Sequence, residues 1–362
     1  MKHLLLLLSL SFVLALHAQQ ADTVSILKTD SVPPPKRLKY DTNYIAKFGN
    51  VIAIEPWISA PDFTFRLENK DDSLVFKRND YKPYLRAVFG LDINYKALNV
   101  SVGFRENSLT TEEETYGKTQ YRILKLRLNT TPFIYEFYHS DFKGFADYNT
   151  AGYDTTRPAN DFYVKRADIH LQYTKAKAIY IFSRRRFSYG AAYSFTERQL
   201  KTKGTALVVA HLYRMKADAD SAFFNPGQRE YFGKYSTMKY LDVISIGIGP
   251  GYAASFVYKK WFFSMGLYLI GDVQYHHAKS NTNQMITEGW RGALLGDVML
   301  SLGYNGNRFY SGIVVRGDRN LVSLSNINAS TSFYSSVFSI GFRFNPPKII
   351  DNLYDASPLR NL

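Results

Sequence analysis

Residues 84–95, YLRAVFGLDINY, decide the fold because their apolar side chains fall at every second position. One parity carries Leu85, Ala87, Phe89, Leu91, Ile93 and Tyr95, and the other carries Tyr84, Arg86, Val88, Gly90, Asp92 and Asn94. Successive side chains of a β-strand point to opposite faces. A strand of about ten residues spans a membrane when one of its faces is apolar. The segment therefore predicts a membrane-spanning strand whose mixed face lies toward a lumen.

A second strand follows after a connection of only two residues, Lys96-Ala97. In residues 98–105, apolar and polar positions alternate again: Leu98, Val100, Val102 and Phe104 against Asn99, Ser101, Gly103 and Arg105. Two alternating runs joined by so short a connection predict an antiparallel hairpin with a tight turn on one side of the membrane.

The same alternation recurs along the chain. Further runs occupy residues 187–195, 244–258, 294–304, 309–315 and 338–344. Pro250 inside the second of these runs predicts a bulge or a local break in strand pairing, because proline has no N–H to donate. Between residues 169 and 182 the apolar positions change from odd to even numbers. That change predicts a turn at 174–177 between two strands.

The connections alternate in length. Short turns are predicted at 96–97, 129–132, 174–177, 259–260 and 305–307, and long polar segments at 68–82, 106–119, 140–161, 215–238, 277–291 and 318–331. Bacterial outer-membrane barrels have short periplasmic turns, long outer loops and an even number of strands. We therefore predict an all-β fold, a transmembrane antiparallel up-and-down β-barrel with fourteen strands. Twelve strands is the alternative, because residues 176–214 carry the least clear pattern.

Both ends of the chain differ from the barrel pattern. Lys2, an apolar run from Leu4 to Leu16 and the small residue Ala18 are typical of a secretory signal peptide, predicted as residues 1–18. Residues 19–50 are predicted to be a periplasmic N-terminal segment, and residues 345–362 a periplasmic C-terminal tail. The transmembrane β-barrel is assigned to residues 51–344.

Composition narrows the partners. The chain has no cysteine, which excludes disulfide and thiolate chemistry, and its formal net charge is +14. A basic protein attracts acidic partners, and export to the outer membrane argues against nucleic acid. We expect outer-membrane lipid and lipopolysaccharide as neighbours, the barrel-assembly machinery as a partner, and no cofactor or bound metal. The oligomeric state stays open.

The mixed face of the strands supplies the candidate functional residues. The predicted lumen-facing charged residues are Arg86, Asp92, Arg105, Lys125, Arg127, Glu136, Arg166, Asp168, His170, Asp297 and Arg343. In a narrow barrel such groups pair across the interior, because an unpaired buried charge is costly. In a wide barrel they line water and bias ion selectivity.

Three segments resemble a known family: Tyr40-Asp41-Thr42-Asn43-Tyr44-Ile45, then Tyr81-Lys82-Pro83-Tyr84 with Gly90-Leu91-Asp92-Ile93-Asn94-Tyr95-Lys96, and Arg186-Phe187-Ser188-Tyr189-Gly190-Ala191-Ala192-Tyr193. They are similar to the barrel family known as domain of unknown function 4421, found mainly in Bacteroidota. The resemblance runs from about residue 40 to residue 344. It implies an outer-membrane barrel and no established activity, so it supplies no catalytic residues.

The leading hypothesis is a non-enzymatic outer-membrane barrel, either a narrow porin-like channel or a structural or loop-binding protein. One alternative is a lipid-modifying hydrolase that uses His277 or His276 with Ser280. His277 and Ser280 are three residues apart, which predicts opposite faces of a strand. The other alternative is uptake of a hydrophobic small molecule through a lateral opening at Pro250.

Overall fold

The computed structural model describes residues 40–74, 76–105, 111–130, 132–157, 162–357 and residue 359. The predicted signal peptide, residues 1–18, and the predicted N-terminal segment up to residue 39 lie outside the described residues. The strands are β1 Ile45–Lys47, β2 Ile52–Asn69, β3 Arg78–Lys82, β4 Val88–Tyr95, β5 Leu98–Arg105, β6 Gln120–Asn129, β7 Phe133–Asp147, β8 Val164–Ile181, β9 Glu197–Gln199, β10 Lys203–Asp218, β11 Met238–Tyr258, β12 Trp261–Ser280, β13 Met285–Asn305, β14 Phe309–Ser323 and β15 Ile327–Phe344. The helices are α1 Thr111–Tyr116, α2 Tyr189–Tyr193 and α3 Lys348–Ala356, with 3₁₀ segments at Thr150–Gly152 and Pro226–Tyr235.

The strands close into a ring. β2 pairs antiparallel with β4 on one side and with β15 on the other, so the first and last strands of the wall meet. Within the described residues, the ring runs through β2, β4, β5, β6, β7, β8 and β10 to β15. The short strand β3 pairs beside it, with the far end of β2 and with β7. The predicted antiparallel up-and-down barrel is confirmed.

Among the described residues the ring holds twelve strands, the alternative count, rather than the favoured fourteen. Two predicted features account for the difference. Residues 187–195 do not form a wall strand; they contain α2. Residues 174–177 do not form a turn, because they lie in the middle of β8, which runs unbroken for 18 residues.

The interior of the barrel explains the wrong turn prediction. Along β8 the odd-numbered residues point inward without interruption, from Ile169 and Leu171 to Lys175 and Lys177. The inner surface near Ile169 belongs to an apolar core, whereas the inner surface near Lys175 is charged. The apolar residues therefore change from odd to even numbers along β8, although the strand does not turn.

The outer surface of the wall is apolar around the barrel. Ile244, Ile246 and Ile248 on β11 are 49–63% exposed, although isoleucine is ordinarily among the most buried residues. The other outward apolar residues include Leu267, Leu269 and Val273 on β12, Leu294 and Leu302 on β13, Ile313 on β14 and Phe338 on β15. Water destabilises such a surface, and lipid stabilises it, so the barrel is a transmembrane one. In the described part of the chain, no helix is both long and apolar enough for a membrane span.

The two ends of the barrel differ in their connections. The turn end carries the short turns at 96–97, 130–132, 259–260 and 306–308, together with the longer segment 182–202. The loop end carries the connections that hold α1, β3 and both 3₁₀ segments. Two long connections predicted there, 277–291 and 318–331, are short in the structure, because β12 to β15 continue through polar residues and leave only 281–284 and 324–326 between strands.

Pro250 interrupts one ladder only. Pairing of β11 with β10 runs continuously through Val208↔Pro250. On the β12 side, no pair is formed between Ile248↔Gly271 and Gly251↔Tyr268, and the register is the same on both sides of the gap. The break is therefore local, as expected for a residue that has no N–H.

Candidate functional site in the lumen

Residues 182–202, which join β8 to β10 at the turn end, fold back into the lumen; we call them the plug. All five residues of α2 are buried. The Ser188 side chain caps this helix by accepting a hydrogen bond of 2.9 Å from the Ala191 backbone N–H. Below the helix, β9 pairs with β1. The plug thus fills the turn-end part of the barrel.

Two wall arginines hold the plug by its backbone carbonyls. Arg127 Nη1 donates to the Tyr193 carbonyl at 2.9 Å, and Arg343 Nη2 donates to the Phe195 carbonyl. Arg127 also forms a buried ion pair with Glu136, with Nη2 and Oε1 2.7 Å apart. Because these guanidinium groups are inward on β6 and β15, they anchor the plug from two sides of the ring.

Aromatic contacts complete the plug. The Tyr268 hydroxyl donates to the Tyr189 hydroxyl at 3.1 Å. The Phe195 ring stacks on the Tyr310 ring with centroids 4.8 Å apart. Tyr189 and Tyr268 belong to a buried apolar cluster that spans the turn-end half of the lumen.

The opposite end is closed by residues 219–237, which join β10 to β11; we call them the cap. Phe223, Phe224 and Phe232 of the cap are at most 2% exposed and belong to the loop-end core. The Phe223 carbonyl accepts hydrogen bonds from the Tyr81 hydroxyl and, at 2.5 Å, from Arg166 Nη1. The cap therefore seals the mouth of the barrel mainly with aromatic side chains.

A chamber lined by residues of the wall remains between the plug and the cap. Its apolar lining consists of Trp57, Phe63, Val88, Tyr121, Ile123, Phe142, Met299, Phe333 and Val337. The Trp57 indole lies flat against the wall at Gly90 and Gly103, where a Cβ atom would come within 2.0 and 2.3 Å of the ring. Glycine at these two positions makes the broad aromatic surface compatible with the wall.

The polar lining of the chamber contains a compact charge cluster. Lys177 Nζ pairs with Asp297, and Lys175 Nζ lies 3.0 Å from Asp318 Oδ2 and 3.7 Å from Asp297 Oδ2. The Tyr173 hydroxyl donates to Asp318 at 2.6 Å. Two lysines and two aspartates thus neutralise one another, as buried charges generally do.

Two further cations of the chamber have no carboxylate partner. Lys125 Nζ lies 4.9 Å from the centroid of the Trp57 ring, and Arg316 Nη1 donates to the Tyr138 hydroxyl at 2.6 Å. Among the described residues, no carboxylate oxygen lies within 4.0 Å of either cation. Tyr138 lies opposite Lys125 on the neighbouring strand, so its contact with Arg316 places the two cations on neighbouring parts of the chamber lining.

The structure places the predicted lumen residues in three locations. Asp92, Arg105, Lys125, Arg127, Glu136, Asp297 and Arg343 lie on the inward face of the wall. Arg166 and Asp168 lie at the mouth beneath the cap, paired with each other at 2.8 Å. Asp168 also accepts a hydrogen bond from the Ser221 hydroxyl at 3.0 Å.

Arg86 and His170 lie outside the lumen, contrary to the sequence prediction. Arg86 precedes β4 and pairs with Glu112 at 3.0 Å. A hydrogen bond from the Tyr84 hydroxyl holds the pKa of Glu112 below its ordinary value. His170 points outward and contacts Asp141 at 2.9 Å, because the irregular pairing of β7 with β8 near Lys143 shifts the parity that the sequence suggests.

Sequence reasoning missed several inward groups. Lys175 and Lys177 were hidden in the predicted turn, and Arg316 lies just beyond the run 309–315. A buried contact between His211 Nε2 and Asp272 Oδ1, 3.0 Å apart, was also missed. Each of these residues stands between two outward-facing neighbours. Only this alternation along the strand could have predicted its inward position.

The histidines considered for hydrolysis do not form a site with Ser280. His276 points inward, whereas His277 points outward and lies beside the Tyr240 ring, with centroids 5.3 Å apart. The Ser280 hydroxyl is inward and contacts the Thr282 hydroxyl. Within the residues that the structure describes, no group of three histidine, aspartate or glutamate side chains is arranged to hold a metal ion.

The family model described as "Domain of unknown function (DUF4421)" matches residues 39–344. The chain belongs to this family. The matched span begins just before β1 and ends at the last residue of β15, so the family domain includes the plug and the cap as well as the wall. No curated protein matches the chain.

Solved structures similar to this family member are membrane barrels of low identity. The outer membrane protease OmpT from Escherichia coli is 7% identical, with 81% of this chain and 97% of that chain covered and a TM-score of 0.37. The β domain of the Bordetella autotransporter BrkA is 8% identical, with 81% and 99% covered and a TM-score of 0.31. The toluene transporter TodX from P. putida is 9% identical, with 83% and 91% covered and a TM-score of 0.25.

Proposed function

We propose that the protein is an integral outer-membrane barrel without enzymatic activity, which serves as a passage that is closed at rest. One observation carries this proposal: folded segments of the chain occupy both ends of the lumen, the plug at the turn end and the cap at the loop end. An open pore needs a continuous water-filled bore. The chamber between the two closures is the part of that bore that remains.

The surface of the wall supports the outer membrane as the location. Its outward apolar residues form a belt, and the long connections gather at one end, as in barrels of that membrane. Outward cations at the loop end, among them Lys143, Lys216, Lys279 and Arg319, suit the phosphates of lipopolysaccharide. We accordingly propose lipopolysaccharide as a neighbour of the loop end, and a periplasmic position for the turn end.

Planar bilayer conductance tests the proposal. Four proteins are compared: the unaltered barrel, a variant with a short Gly-Ser linker in place of plug residues 187–196, a variant with such a linker in place of cap residues 222–235, and the combination of both. Because the two closures act in series, we expect stable conductance steps from the combined variant only.

Two outcomes contradict the closed passage. Conductance of the unaltered barrel equal to that of the combined variant shows that the plug and the cap do not block the bore. A silent combined variant that still shows the heat-dependent electrophoretic mobility of a folded barrel shows that the lumen is no passage. That mobility, recorded for all four proteins, is the control for folding.

A further inference from the structure

We propose that the chamber binds an apolar molecule that bears a single acidic head group, of the class of medium- and long-chain carboxylates. Lys125 and Arg316, on opposite parts of the wall, would hold the head group, and the aromatic lining would hold the chain. The site goes beyond the proposed passage, because its occupancy is independent of whether the barrel conducts.

The two cations come from distant strands of the wall. Lys125 lies on β6 and Arg316 on β14, strands that are not neighbours in the ring. Tyr138 connects them, since it is the cross-strand partner of Lys125 and its hydroxyl accepts the hydrogen bond from Arg316. Two like charges that line one confined space are destabilising, and an anion between them converts repulsion into attraction.

Six other charges of the lumen are paired with one another. Lys175 and Lys177 pair with Asp297 and Asp318, as described above. Arg127 pairs with Glu136. These six charges sum to zero, and none of the three carboxylates among them forms a salt bridge with Lys125 or Arg316.

Two inward carboxylates outside the chamber lining have partners of their own. Asp92 accepts the Trp57 indole N–H at 2.6 Å. Glu55 accepts the Tyr310 hydroxyl at 3.0 Å. Both act on Lys125 electrostatically at longer range, but neither reaches within 4.0 Å of Lys125 or Arg316. A ligand carboxylate in contact with both cations therefore forms charge-assisted hydrogen bonds that these two acids do not form.

Both cations keep some accessible surface. Lys125 and Arg316 both point inward, yet each keeps an intermediate exposure, whereas Arg127 and Arg343 on the same inner wall are buried. The chamber is lined by both Lys125 and Arg316, so the surface that they expose faces it.

Aromatic side chains form the apolar side of the chamber. Phe63 and Phe142 stack with centroids 4.3 Å apart, and Phe333 lies 6.4 Å from Phe63. Tyr121 packs against Phe142 at 4.7 Å. Burial of an alkyl chain against such a surface stabilises binding by about 0.8 kcal/mol for each CH₂ group. The combination of this surface with two cations selects an anionic amphiphile over a small inorganic anion or a neutral hydrocarbon.

The position of Trp57 provides a direct measurement of occupancy. The chain has three tryptophans, of which Trp57 lines the chamber and Trp261 and Trp290 lie on the outer surface. In a Trp261→Phe/Trp290→Phe background, quenching by a brominated probe reports contact with Trp57 alone. The probe is 12-bromododecanoate, present while the barrel folds in a non-ionic detergent, because both ends of the chamber are closed afterwards.

We expect saturable quenching by 12-bromododecanoate at a concentration at least about tenfold lower than by the neutral alcohol 12-bromododecanol. Lys125→Met and Arg316→Met should each weaken carboxylate binding about tenfold or more and leave alcohol binding unchanged. Arg316→Lys should retain most of the affinity, because it keeps the charge. The matched control is Lys279→Met, which removes a cation from the outer face of β12 and should change neither probe.

Equal affinity for the carboxylate and the alcohol overturns the proposal, since the cations would then contribute nothing. Unchanged carboxylate binding in both Lys125→Met and Arg316→Met overturns it as well. If Arg316→Met does not fold, the comparison of the two probes on the parent barrel and on Lys125→Met decides the matter. The closed passage is tested by conductance, and the binding site is tested by quenching of Trp57 fluorescence. Either proposal can therefore fail without the other.

Discussion

The plug and the cap close the same lumen at opposite ends. The plug carries buried aromatic side chains, among them Tyr189 and Phe195, and the guanidinium groups of Arg127 and Arg343 donate to two of its carbonyls. The cap also carries buried aromatic side chains, with the Phe223 ring 5.6 Å from the Phe65 ring, and Arg166 donates to its Phe223 carbonyl. The two closures therefore share aromatic packing and differ in the wall guanidinium groups that hold their backbone.

Water can replace the polar contacts of both closures but not their aromatic contacts. A hydrogen bond to a charged group contributes about 1.5–3 kcal/mol net, because both partners find water when the bond breaks. A buried phenylalanine that becomes exposed loses about 1.5–3 kcal/mol with no compensating contact, and the cap contributes three phenylalanines. Because two wall guanidinium groups hold the plug by its carbonyls, we expect removal of one of them to loosen the plug and to leave the cap unchanged.

The largest expected effect is on the stability of the cap. Phe223→Ala should lower the free energy of unfolding by about 3–5 kcal/mol, because it leaves a cavity in the loop-end core. Urea unfolding of the barrel in lipid vesicles measures this loss. The matched control is Phe162→Ala, since Phe162 is 37% exposed at the same end and should cost less than half as much. Similar losses in the two variants would show that the cap is not part of the core.

An intermediate effect is expected on access to the plug. Because the chain has no cysteine, Ala192→Cys introduces a single thiol on α2, at a position that is 1% exposed. A polar thiol reagent should label it slowly in the parent barrel. Adding Arg343→Met removes the guanidinium that binds the Phe195 carbonyl and should raise the labelling rate about tenfold or more, as expected for a loss of about 1.4 kcal/mol.

The same reagent can label a thiol in the cap, so that access to the two closures can be compared. Ala222→Cys places a thiol in the cap, where the alanine is 3% exposed. Its labelling rate should not respond to Arg343→Met, because the contacts of Arg343 with the plug, residues 305–307, Phe48 and Tyr310 lie at the turn end. Parallel increases at Ala192→Cys and Ala222→Cys would show that the two closures open together, and would contradict separate mechanisms.

The wall could be predicted from the sequence because lipid imposes a regular rule on it. Every second residue of a spanning strand must be apolar, and runs such as 84–95 and 98–105 obey this rule along their whole length. The rule also placed most of the inward charges, including Arg127, Glu136 and Asp297. No comparable rule links Arg316 to Tyr138, since they are brought together only when the ring closes.

The plug could not be predicted because its sequence imitates a wall strand. Phe187, Tyr189, Ala191, Tyr193 and Phe195 alternate with small residues just as lipid-facing residues do. Inside the lumen, both parities are buried in protein, so alternation carries no information about direction. Its conformation is decided by partners distant in sequence, and Arg127 is 66 residues from Tyr193.

A small effect is expected for α3, another turn-end element that makes polar contacts. Asp351 of this helix accepts hydrogen bonds from the Tyr95 hydroxyl and, at 2.9 Å, from Asn50 Nδ2, and lies 3.6 Å from Lys96 Nζ. The hydrogen bond from Tyr95 is the main cause that holds the pKa of Asp351 below its ordinary value of 3.8. Because the folded pKa is depressed, the carboxylate stabilises the docked helix fully above pH 3.8 and loses this contribution as the pH falls through the folded pKa.

Hydrogen exchange of Lys348–Ala356 measures this docking. Protection of the helix amides, corrected for the intrinsic exchange rate, should be constant between pH 7 and pH 5 and should fall below pH 3.8. Asp351→Asn should show weaker protection at pH 7 and no further loss on acidification. Protection that falls equally in both proteins would assign the pH dependence to another group. Since α3 packs on the Tyr95 turn and lies outside the lumen, the labelling rate of Ala192→Cys should stay unchanged in Asp351→Asn, which separates the docking of this helix from the opening of the plug.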